Sequence, residues 1–378
     1  MKPQLLIIFP EAHIKHSPTL LNLIDSMKMA FNVKIILEKH ITNEGFSLDR
    51  VSIVRVATPR SNGNRNLFFK FWKLLDSVMY RLIRRRFFVS YFISKVFEKA
   101  LKNEKTAKNK NNNIIIGVDA VGALAGIAAF GKCHLLSLEI YESDLITKFL
   151  NLKKDRLQSL MIQSQDREVL LFPSFDLPKF YIQNAPTFKK MRKGNYTDKK
   201  IISLGSFIPK MGSEIICEFA RANQDYSIIV KGLIPTDEEH RVPNNIILER
   251  KYIEQHLLPD YLSHFEIGFC MYDFSKISLD EYNHFNHLPS GKMYNYFNSL
   301  VPCIGNKCAG LSPIETFGAG ILLENTTPEN IIWAIYEIQQ NYAEYVKGCE
   351  NAARHYDFAS NSHEYVNFLV SKKAQSIW

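Results

Sequence analysis

Hydrophobic positions in this chain fall into short runs that alternate with longer amphipathic stretches. In the first half the runs are residues 5–9, 33–37, 52–56, 113–118, 134–140 and 168–172. In the second half they are residues 201–205, 226–230, 245–249, 266–272, 302–305 and 320–324. Short runs rich in Val, Ile and Leu between helical stretches predict parallel strands that are covered on both faces. Two successive sets of six predict an α/β fold with two Rossmann-like domains.

The border between the two sets lies in residues 188–200, which are polar and basic and contain a glycine, as is typical of a linker. We therefore predict an N-terminal domain over residues 1–195, a C-terminal domain over residues 196–354 and a final helix in residues 355–378. A length of 378 residues suits two domains. Ligands of such sheets bind at the carboxyl ends of the strands, and a cleft between the domains is the expected site.

Positive charge is concentrated in residues 65–110. The chain has a net charge of +9, and this segment holds 13 basic and 3 acidic residues. Its apolar residues recur at helical spacing and predict a basic amphipathic insertion; they are Leu67, Phe71, Leu74, Val78 and Leu82. Such a helix fits an anionic membrane surface. A solvated helix packed on its own domain and a nucleic-acid contact are the alternatives, although no recognised nucleic-acid module is present and we expect no nucleic-acid partner.

Other features narrow the class of protein. No run approaches the roughly 18 apolar residues of a transmembrane helix, and the first apolar run is too short for a signal peptide. We therefore expect a cytoplasmic protein. The six cysteines form no Cys-x-x-Cys pair, which indicates reduced thiols. A zinc site at Cys303 and Cys308 is an alternative, but no second ligand pair lies at the usual spacing, so we predict no metal.

The most informative segment is residues 288–305, LPSGKMYNYFNSLVPCIG. Pro289, Ser290 and Gly291 form a loop that leads into a helix, with Ser290 as a plausible N-cap. The glycine permits close backbone approach, and the unpaired N–H groups of a helix start attract anions. Lys292 adds a charged donor, so the segment fits a diphosphate. The same pattern also occurs as an ordinary helix cap without a ligand.

This segment resembles the donor-binding motif of GT-B glycosyltransferases, in particular family four and related enzymes of bacterial surface-polysaccharide assembly. It is followed, as in that pattern, by Gly310, Glu315 and the strand GAGILLE. Further pieces resemble the family in order: MIQSQDREVLLF (161–172), YIQNAP (181–186), GSFIPKMG (205–212), SIIVKG (227–232), EIGFCMYD (266–273) and DFASNSHEYVNFL (357–369). The likeness covers most of residues 113–370.

The resemblance implies two domains facing across a cleft, with the C-terminal helix crossing back to the first domain. It implies a nucleotide-sugar donor, most simply a UDP-sugar, and a glycan or lipid-linked glycan acceptor. It also implies a retaining outcome without a divalent cation, and no cofactor beyond the donor substrate. The predicted donor-binding residues are Ser206, Lys210, Lys231, Gly232, Pro289, Ser290, Gly291, Lys292 and Asn295.

Several positions depart from the family pattern. The ribose-binding Glu of the family is Asn295 here, which can still hydrogen-bond hydroxyl groups. The family's Ala-Ala-Gly turn reads Asn-Ser-Leu in residues 298–300, its loop Arg is Ser206, and its Lys is shifted to Lys210. The upstream acidic residue has no clear match. Candidates for it are Asp280, Glu281 and His287.

The acceptor half carries three candidate catalytic residues, each at the end of a predicted strand: His13, Asp119 and Glu139. His13, like its neighbour His16, could orient the acceptor or act as a base. Asp119 and Glu139 are carboxylates at the expected ligand edge. Each also has a structural interpretation, as an exposed loop histidine or, for Glu139 and Glu142, as a helix cap.

The predicted function is thus a cytoplasmic glycosyltransferase, and residues 65–110 suit a peripheral position on the inner face of the cytoplasmic membrane. A nucleotide-sugar 2-epimerase shares this architecture and would act without an acceptor. A scaffold of the same fold that has lost catalysis is a second alternative, and the Asn295 departure motivates it.

Overall fold

A computed structural model gives the arrangement of the chain. It describes all residues except 1, 12–13, 15–16, 40–47, 59–66, 84, 106–112, 140–144, 190–198, 236–241, 252, 288–289 and 376–378. The chain divides into two compact units. The first comprises residues 1–183 and 359–378, and the second comprises residues 184–358.

The first unit is built on a parallel sheet, which has seven strands among the described residues. These are β1 (Gln4–Phe9), β2 (Asn32–Glu38), β3 (Val51–Val56), β4 (Asn113–Val118), β5 (Cys133–Leu136), β6 (Leu157–Ile162) and β7 (Lys179–Tyr181). Their order is β3-β2-β1-β4-β5-β6-β7. The chain reverses its direction of growth between β1 and β4, so the carboxyl ends of those strands flank a switch point where such folds bind ligands.

Helices cover the sheet of the first unit. They are α1 (Pro18–Met27), α2 (Leu67–Ile83), α3 (Phe88–Lys105), α4 (Asp119–Phe130), α5 (Leu145–Asn151) and α6 (Gln165–Leu171). The last helix of the chain, α14 (Phe358–Gln375), also packs in this unit, where Phe368 lies 5.1 Å from Phe180 and 6.0 Å from His134 between ring centroids. Fully buried aliphatic side chains of the strands fill the space between the layers.

The second unit has a six-stranded parallel sheet in the described part of the chain. Its strands are β8 (Lys200–Leu204), β9 (Ser227–Lys231), β10 (Ile246–Glu249), β11 (Ile267–Cys270), β12 (Cys303–Asn306) and β13 (Gly320–Leu323), in the order β10-β9-β8-β11-β12-β13. Its helices are α7 (Ser213–Ala222), α8 (Leu258–Ser263), α9 (Leu279–Asn286), α10 (Gly291–Asn298), α11 (Pro313–Thr316), α12 (Pro328–Gln340) and α13 (Tyr342–His355). The switch point lies between β8 and β11.

The prediction of an α/β fold with two Rossmann-like domains is confirmed, but one predicted strand is wrong. Residues 168–172 lie in and just after helix α6, and the strand of this region is β6, eleven residues earlier. Ser164 caps α6 by accepting a hydrogen bond from the Arg167 amide (3.3 Å), and Asp166 and Glu168 lie in its first turn. A cap and acidic residues at the positive end of the helix dipole favour a helix over the apolar run that follows.

The basic segment forms a pair of helices, α2 and α3, where the sequence pattern predicts one. Asp76 on α2 is buried and joins the pair. Its Oδ1 accepts hydrogen bonds from the amides of Phe87 (2.9 Å) and Phe88 (2.8 Å), and its Oδ2 accepts one from the amide of Val89 (2.9 Å). A carboxylate at the amino end of α3 satisfies its unpaired amides and complements its dipole.

Replacing Asp76 with alanine is expected to lower the free energy of unfolding by about 2 kcal/mol, since three part-buried amides lose their side-chain acceptor. Thermal unfolding followed by circular dichroism measures the loss. Asp25→Ala is the matched control, because Asp25 is exposed and pairs with Lys28 in the next helical turn. Equal effects of the two substitutions would contradict this role of Asp76.

None of the helices in the described residues is both long and apolar enough to cross a bilayer.

Candidate functional site

In the first unit, Asp119 stands at the carboxyl end of β4 and begins α4. Its φ of +51° is left-handed, a conformation that Asp and Asn tolerate better than other side chains. The helix starts close against the sheet because glycines flank this turn. A Cβ on Gly117 would lie 2.4 Å from the Ala123 Cα, and one on Gly122 would lie 2.6 Å from the Ile8 oxygen. The strained turn places the Asp119 carboxylate at the ligand edge of the sheet.

Asp119 is held against the loop that follows β5, where Glu139 lies. Its Oδ1 accepts hydrogen bonds from the amides of Leu138 (2.7 Å) and Glu139 (3.2 Å). Burial raises the pKa of Asp119 to about 7, and the negative charge of Glu139 adds to the rise, against the hydrogen bonds that lower it. A carboxyl group with this pKa can exchange a proton near neutral pH.

Glu139 is exposed over much of its side chain, yet the surrounding protein displaces enough water from its carboxylate to raise its pKa. The positive charge of Arg167 opposes that rise. The two carboxylates therefore differ in environment: Asp119 is fixed by backbone amides, whereas Glu139 points from a loop toward solvent. Pairs of acids with unlike surroundings are typical of sites that move protons.

Arg167 completes this site, and it is absent from the residues that the sequence singled out. Its side chain is fully buried. Its Nη2 donates to the Leu138 oxygen (2.8 Å), and its Nη1 donates to the Gln163 side chain. The loop at Leu138 is thus held through its amide by Asp119 and through its carbonyl by Arg167. The motif QDREV contains this arginine, but its spacing does not show that the side chain reaches the loop after β5.

Three acceptor-side residues that the sequence singles out are not among those the structure describes. His13, with its neighbour His16, and Glu142 lie outside the described residues. Glu11, which is described, lies near enough to Glu139 for its negative charge to raise the pKa of that carboxyl group.

In the second unit, α10 begins at Gly291 directly after Ser290; Pro289 lies outside the described residues. Ser290 occupies the N-cap position and is buried, but its hydroxyl does not cap the helix. It hydrogen-bonds the phenol of Tyr272 instead. A Cβ on Gly291 would lie 3.0 Å from the Asn184 side-chain nitrogen, so this position has little room for a larger residue. The amides of the first turn keep their capacity to bind an anion.

Lys292 supplies positive charge next to those amides. Its Nζ lies 3.5 Å from the Met271 oxygen and 5.1 Å from the centroid of the Tyr272 ring. Burial lowers its pKa. Among the described residues no carboxylate forms an ion pair with this lysine, so its charge is uncompensated there. Such a group gains an interaction when an anion binds beside it.

The other two predicted lysines already have acidic partners. Lys231, at the end of β9, is buried and contacts the Glu249 carboxylate (3.0 Å) and the Lys251 oxygen (2.9 Å). Lys210 pairs with Glu281 at 2.8 Å and remains partly exposed. Glu281, one of the candidates for the unmatched acidic residue, is thereby engaged, and its pKa is lowered chiefly by the hydrogen bond from Lys210. Of the three lysines, Lys292 is the best placed to meet a phosphate.

The loops after β8 and β9 meet in a tight backbone contact beside this region. Gly232 has a φ of +151°, and a Cβ there would lie 2.1 Å from the Gly205 oxygen. The Gly205 amide donates to the Lys231 oxygen (3.0 Å), which ties the two loops together and fixes the position of Ser206. Only glycine permits this approach. Because Gly205 and Gly232 carry no side chain, the backbone at the carboxyl ends of β8 and β9 stays accessible.

Asn295 lies one turn into α10 and donates from Nδ2 to the Gly291 oxygen (2.8 Å). Its amide group is therefore oriented by its own helix, with the side-chain oxygen left as an acceptor for a hydroxyl group. Two candidates for the unmatched acidic residue remain. The structure does not describe the side chain of Asp280, and His287 contacts Asn286 at 3.3 Å.

Among the described residues no group of three or more His, Cys, Asp or Glu is arranged to hold a metal ion.

Comparison with known proteins shows likeness in fold but not in sequence. No family model matches the sequence, and no curated protein matches it. The fold is similar to alpha,alpha-trehalose 6-phosphate synthase from Burkholderia multivorans, with a TM-score of 0.63 and 12% identity over 100% of both chains. It is similar to TarM, a protein of S. aureus, with a TM-score of 0.65 and 10% identity over 98% of this chain and 99% of that one.

A third similar structure is Anabaena HepE in complex with UDP and glucose, with a TM-score of 0.60 and 12% identity over 98% of both chains. These neighbours have the GT-B fold, so the chain has that fold along nearly its whole length. Identities this low establish the fold alone.

Proposed function

We propose that this protein is a glycosyltransferase that moves a sugar from a nucleotide-sugar donor, most simply a UDP-sugar, to a glycan or lipid-linked glycan. One observation carries the proposal: the uncapped start of α10 stands beside the uncompensated charge of Lys292. That pairing suits a diphosphate. HepE was solved with UDP and glucose, and TarM with UDP, which supports the same ligand class here.

In this proposal the second unit holds the donor. The diphosphate accepts hydrogen bonds from the amides at Gly291 and Lys292 and charge from the Lys292 ammonium group, while Asn295 accepts a hydrogen bond from a ribose hydroxyl. Lys210 would need to exchange part of its contact with Glu281 for the phosphate. Helix dipole and lysine together stabilise the departing diphosphate, a role for which other enzymes use a divalent cation.

The first unit supplies the acid–base groups. The bond between the anomeric carbon and the donor phosphate oxygen breaks, and the acceptor oxygen bonds to that carbon from the face that the diphosphate leaves. The acceptor hydroxyl proton passes to the ionised Asp119 carboxylate, and the nucleoside diphosphate leaves. Glu139 holds the acceptor by accepting hydrogen bonds from the acceptor's hydroxyl groups. We further propose a retaining outcome and a role in bacterial surface-polysaccharide synthesis, capsule or lipopolysaccharide, on the cytoplasmic face of the membrane; both rest on the motif resemblance of residues 113–370.

Thermal unfolding against UDP, GDP, ADP, CMP and dTDP tests the donor half of the proposal. A ligand at about 100 times its dissociation constant stabilises the fold by roughly 2.7 kcal/mol, which gives a clear upward shift. We expect a shift with one nucleotide, UDP first, without added metal. Absence of a shift with all five would contradict the donor site and favour a catalytically inactive scaffold.

Incubation with the matching nucleotide-sugar then separates the enzyme classes. A transferase releases nucleoside diphosphate faster when a glycan acceptor is added, and proton NMR of the product reports the anomeric configuration. A 2-epimerase would interconvert sugar nucleotides without an acceptor. That second result would replace the proposed reaction while leaving the donor site in place.

A further inference from the structure

Helix α2 turns its apolar stripe toward solvent. The exposed fractions are 52% for Phe71, 60% for Leu74, 46% for Val78 and 78% for Leu82, and Ile83 at the end of the helix is 55% exposed. At about 100° per residue the first four side chains fall within an arc of about 80° on one side of the helix. The periodic pattern alone also suits a helix whose stripe packs on its own domain, which is the alternative to a membrane-facing helix. A contiguous exposed apolar stripe of this kind marks a site of contact with a membrane or with another protein.

The opposite face of α2 is well packed, which fixes the direction of the stripe. Phe69 is buried, and Trp72 stacks on Phe92 at 6.0 Å and contacts Phe88 at 5.5 Å between ring centroids. Asp76 anchors the helix to the start of α3 through three amides. Loose attachment of α2 is therefore not the reason why the stripe is exposed. The aromatic side chains on the opposite face of α2 already pack against α3.

Basic side chains border the stripe on one flank. Lys70 and Arg81 are exposed, and helical geometry places them next to Leu74 and Val78. Lys73 lies farther round the helix, with its Nζ 5.0 Å from the centroid of the Phe69 ring. The acid in α2 is Asp76, and it is buried. Long basic side chains beside an apolar stripe can reach phosphate groups while the stripe lies deeper, the arrangement of helices that rest in a membrane interface.

We propose that α2 is a membrane-docking helix that lies flat on an anionic lipid bilayer. The side chains of Phe71, Leu74, Val78 and Leu82 enter the acyl boundary, and Lys70 and Arg81 contact lipid phosphates. A second copy of the chain is a poorer occupant, because a two-fold contact through the stripe would bring the same basic flank against itself. This surface identifies the residues that would contact the membrane in the proposed function. It rests on that function only for the lipid-linked acceptor.

Vesicle co-sedimentation of the full chain tests this surface without donor or acceptor. The vesicles are phosphatidylcholine alone and phosphatidylcholine with phosphatidylglycerol. The stripe variant combines Phe71→Ser, Leu74→Ser and Leu82→Ser, and the flank variant combines Lys70→Gln and Arg81→Gln. The matched control combines Leu152→Ser and Leu279→Ser, two side chains that are 80% and 93% exposed elsewhere on the chain.

We expect the wild-type chain to bind the anionic vesicles, and the stripe variant to bind them at least about tenfold more weakly. The flank variant should lose affinity for anionic vesicles and lose most of its salt dependence. The control should bind as wild type does. Because all substituted side chains are exposed, the unfolding temperature and its shift with nucleotide should be unchanged, so failure of docking and failure of the donor site are told apart.

Three results would overturn the proposal. Wild-type affinity in the stripe variant would show that another surface binds lipid. Equal binding to neutral and anionic vesicles would remove the role of the basic flank. A concentration-dependent dimer that the stripe variant abolishes, with no vesicle binding, would make a second copy the occupant.

Discussion

Replacing Lys292 with methionine is expected to abolish the stabilisation by nucleotide while making the unliganded protein more stable. The ammonium group is the uncompensated charge beside the amides of α10. Removing it deprives a bound diphosphate of a charged donor, so we expect affinity to fall about 100-fold, equivalent to roughly 2.7 kcal/mol. A thermal shift that is clear for the wild type should then disappear at the same nucleotide concentration.

The gain in stability without nucleotide follows from the lowered pKa of Lys292. A lysine whose pKa is lower in the folded state than in the unfolded state destabilises the fold at neutral pH, because burial disfavours the ammonium form that the unfolded state keeps there. Methionine fills similar volume without charge, so Lys292→Met should raise the unfolding temperature at pH 7. The advantage should shrink as pH rises from the lowered folded pKa toward the usual value near 10.5, because the wild-type lysine then loses its proton in both states.

Lys307→Met is the matched control, since Lys307 is exposed and already pairs with the Glu324 carboxylate. It should leave both the nucleotide shift and the pH dependence unchanged. If Lys292→Met retained the full nucleotide shift, the diphosphate would have to bind elsewhere, and the paired lysines Lys210 and Lys231 would become the candidates.

The pattern of residues 288–305 predicts the position of α10 well, because helix starts have local chemical signals. What local signals do not carry is the direction of each side chain. Lys210, Lys231 and Lys292 look alike in sequence, yet two of them face carboxylates from distant positions, Glu281 and Glu249. Only the packing of α9 and β10 decides which lysine keeps an uncompensated charge.

The turn after α10 shows the same limit for backbone conformation. The family resemblance places a glycine where this chain has Leu300, which suggests a different turn. Leu300 nevertheless adopts a left-handed φ of +58°, and its side chain is buried in the core. Burial of a leucine contributes about 2 kcal/mol, which is enough to offset the roughly 1 kcal/mol of a left-handed backbone. Tertiary packing therefore preserves the turn without the residue that usually signals it.

The first unit was harder to predict for a related reason. Strand β6 and the apolar run in α6 are separated only by the polar residues QSQDRE (163–168), and the cap at Ser164 decides where the helix begins. Arg167 then reaches from α6 to the Leu138 oxygen, 29 residues away in sequence. Asp119 could be predicted at the ligand edge because it directly follows an apolar strand, but its contact with the Leu138 and Glu139 amides depends on the order of the strands.

Replacing Asp119 with asparagine is expected to reduce the rate of sugar transfer about 1,000-fold while leaving nucleotide binding intact. Asparagine keeps the shape, tolerates the left-handed backbone and can still accept the amide hydrogen bonds of Leu138 and Glu139 through Oδ1. It cannot take a proton from the acceptor, and general-base catalysis of this kind contributes about 100- to 10,000-fold. Steady-state rates of nucleoside diphosphate release with acceptor present measure the loss.

The pH dependence gives this prediction a second signature. The proposed base is active when ionised, so the wild-type rate should rise with pH through about 7, the pKa of Asp119, and the remaining activity of Asp119→Asn should lack that step. Stability should change in the opposite sense. An acid whose pKa is raised on folding binds more protons in the folded state, so it stabilises the fold at low pH and loses that contribution as pH rises through about 7.

Asp119→Asn should therefore be more stable than the wild type at pH 8, by on the order of 2 kcal/mol, and should lose this advantage at pH 4. Glu139→Gln serves as the comparison, because it removes the neighbouring negative charge and should lower the pKa of Asp119, moving the rise in rate to lower pH. A proton-transfer role for Asp119 requires both the stability change of Asp119→Asn and the shifted rate profile of Glu139→Gln. A substitution that slowed transfer equally at every pH, with no change in the stability profile, would instead assign Asp119 to holding the Leu138–Glu139 loop in place.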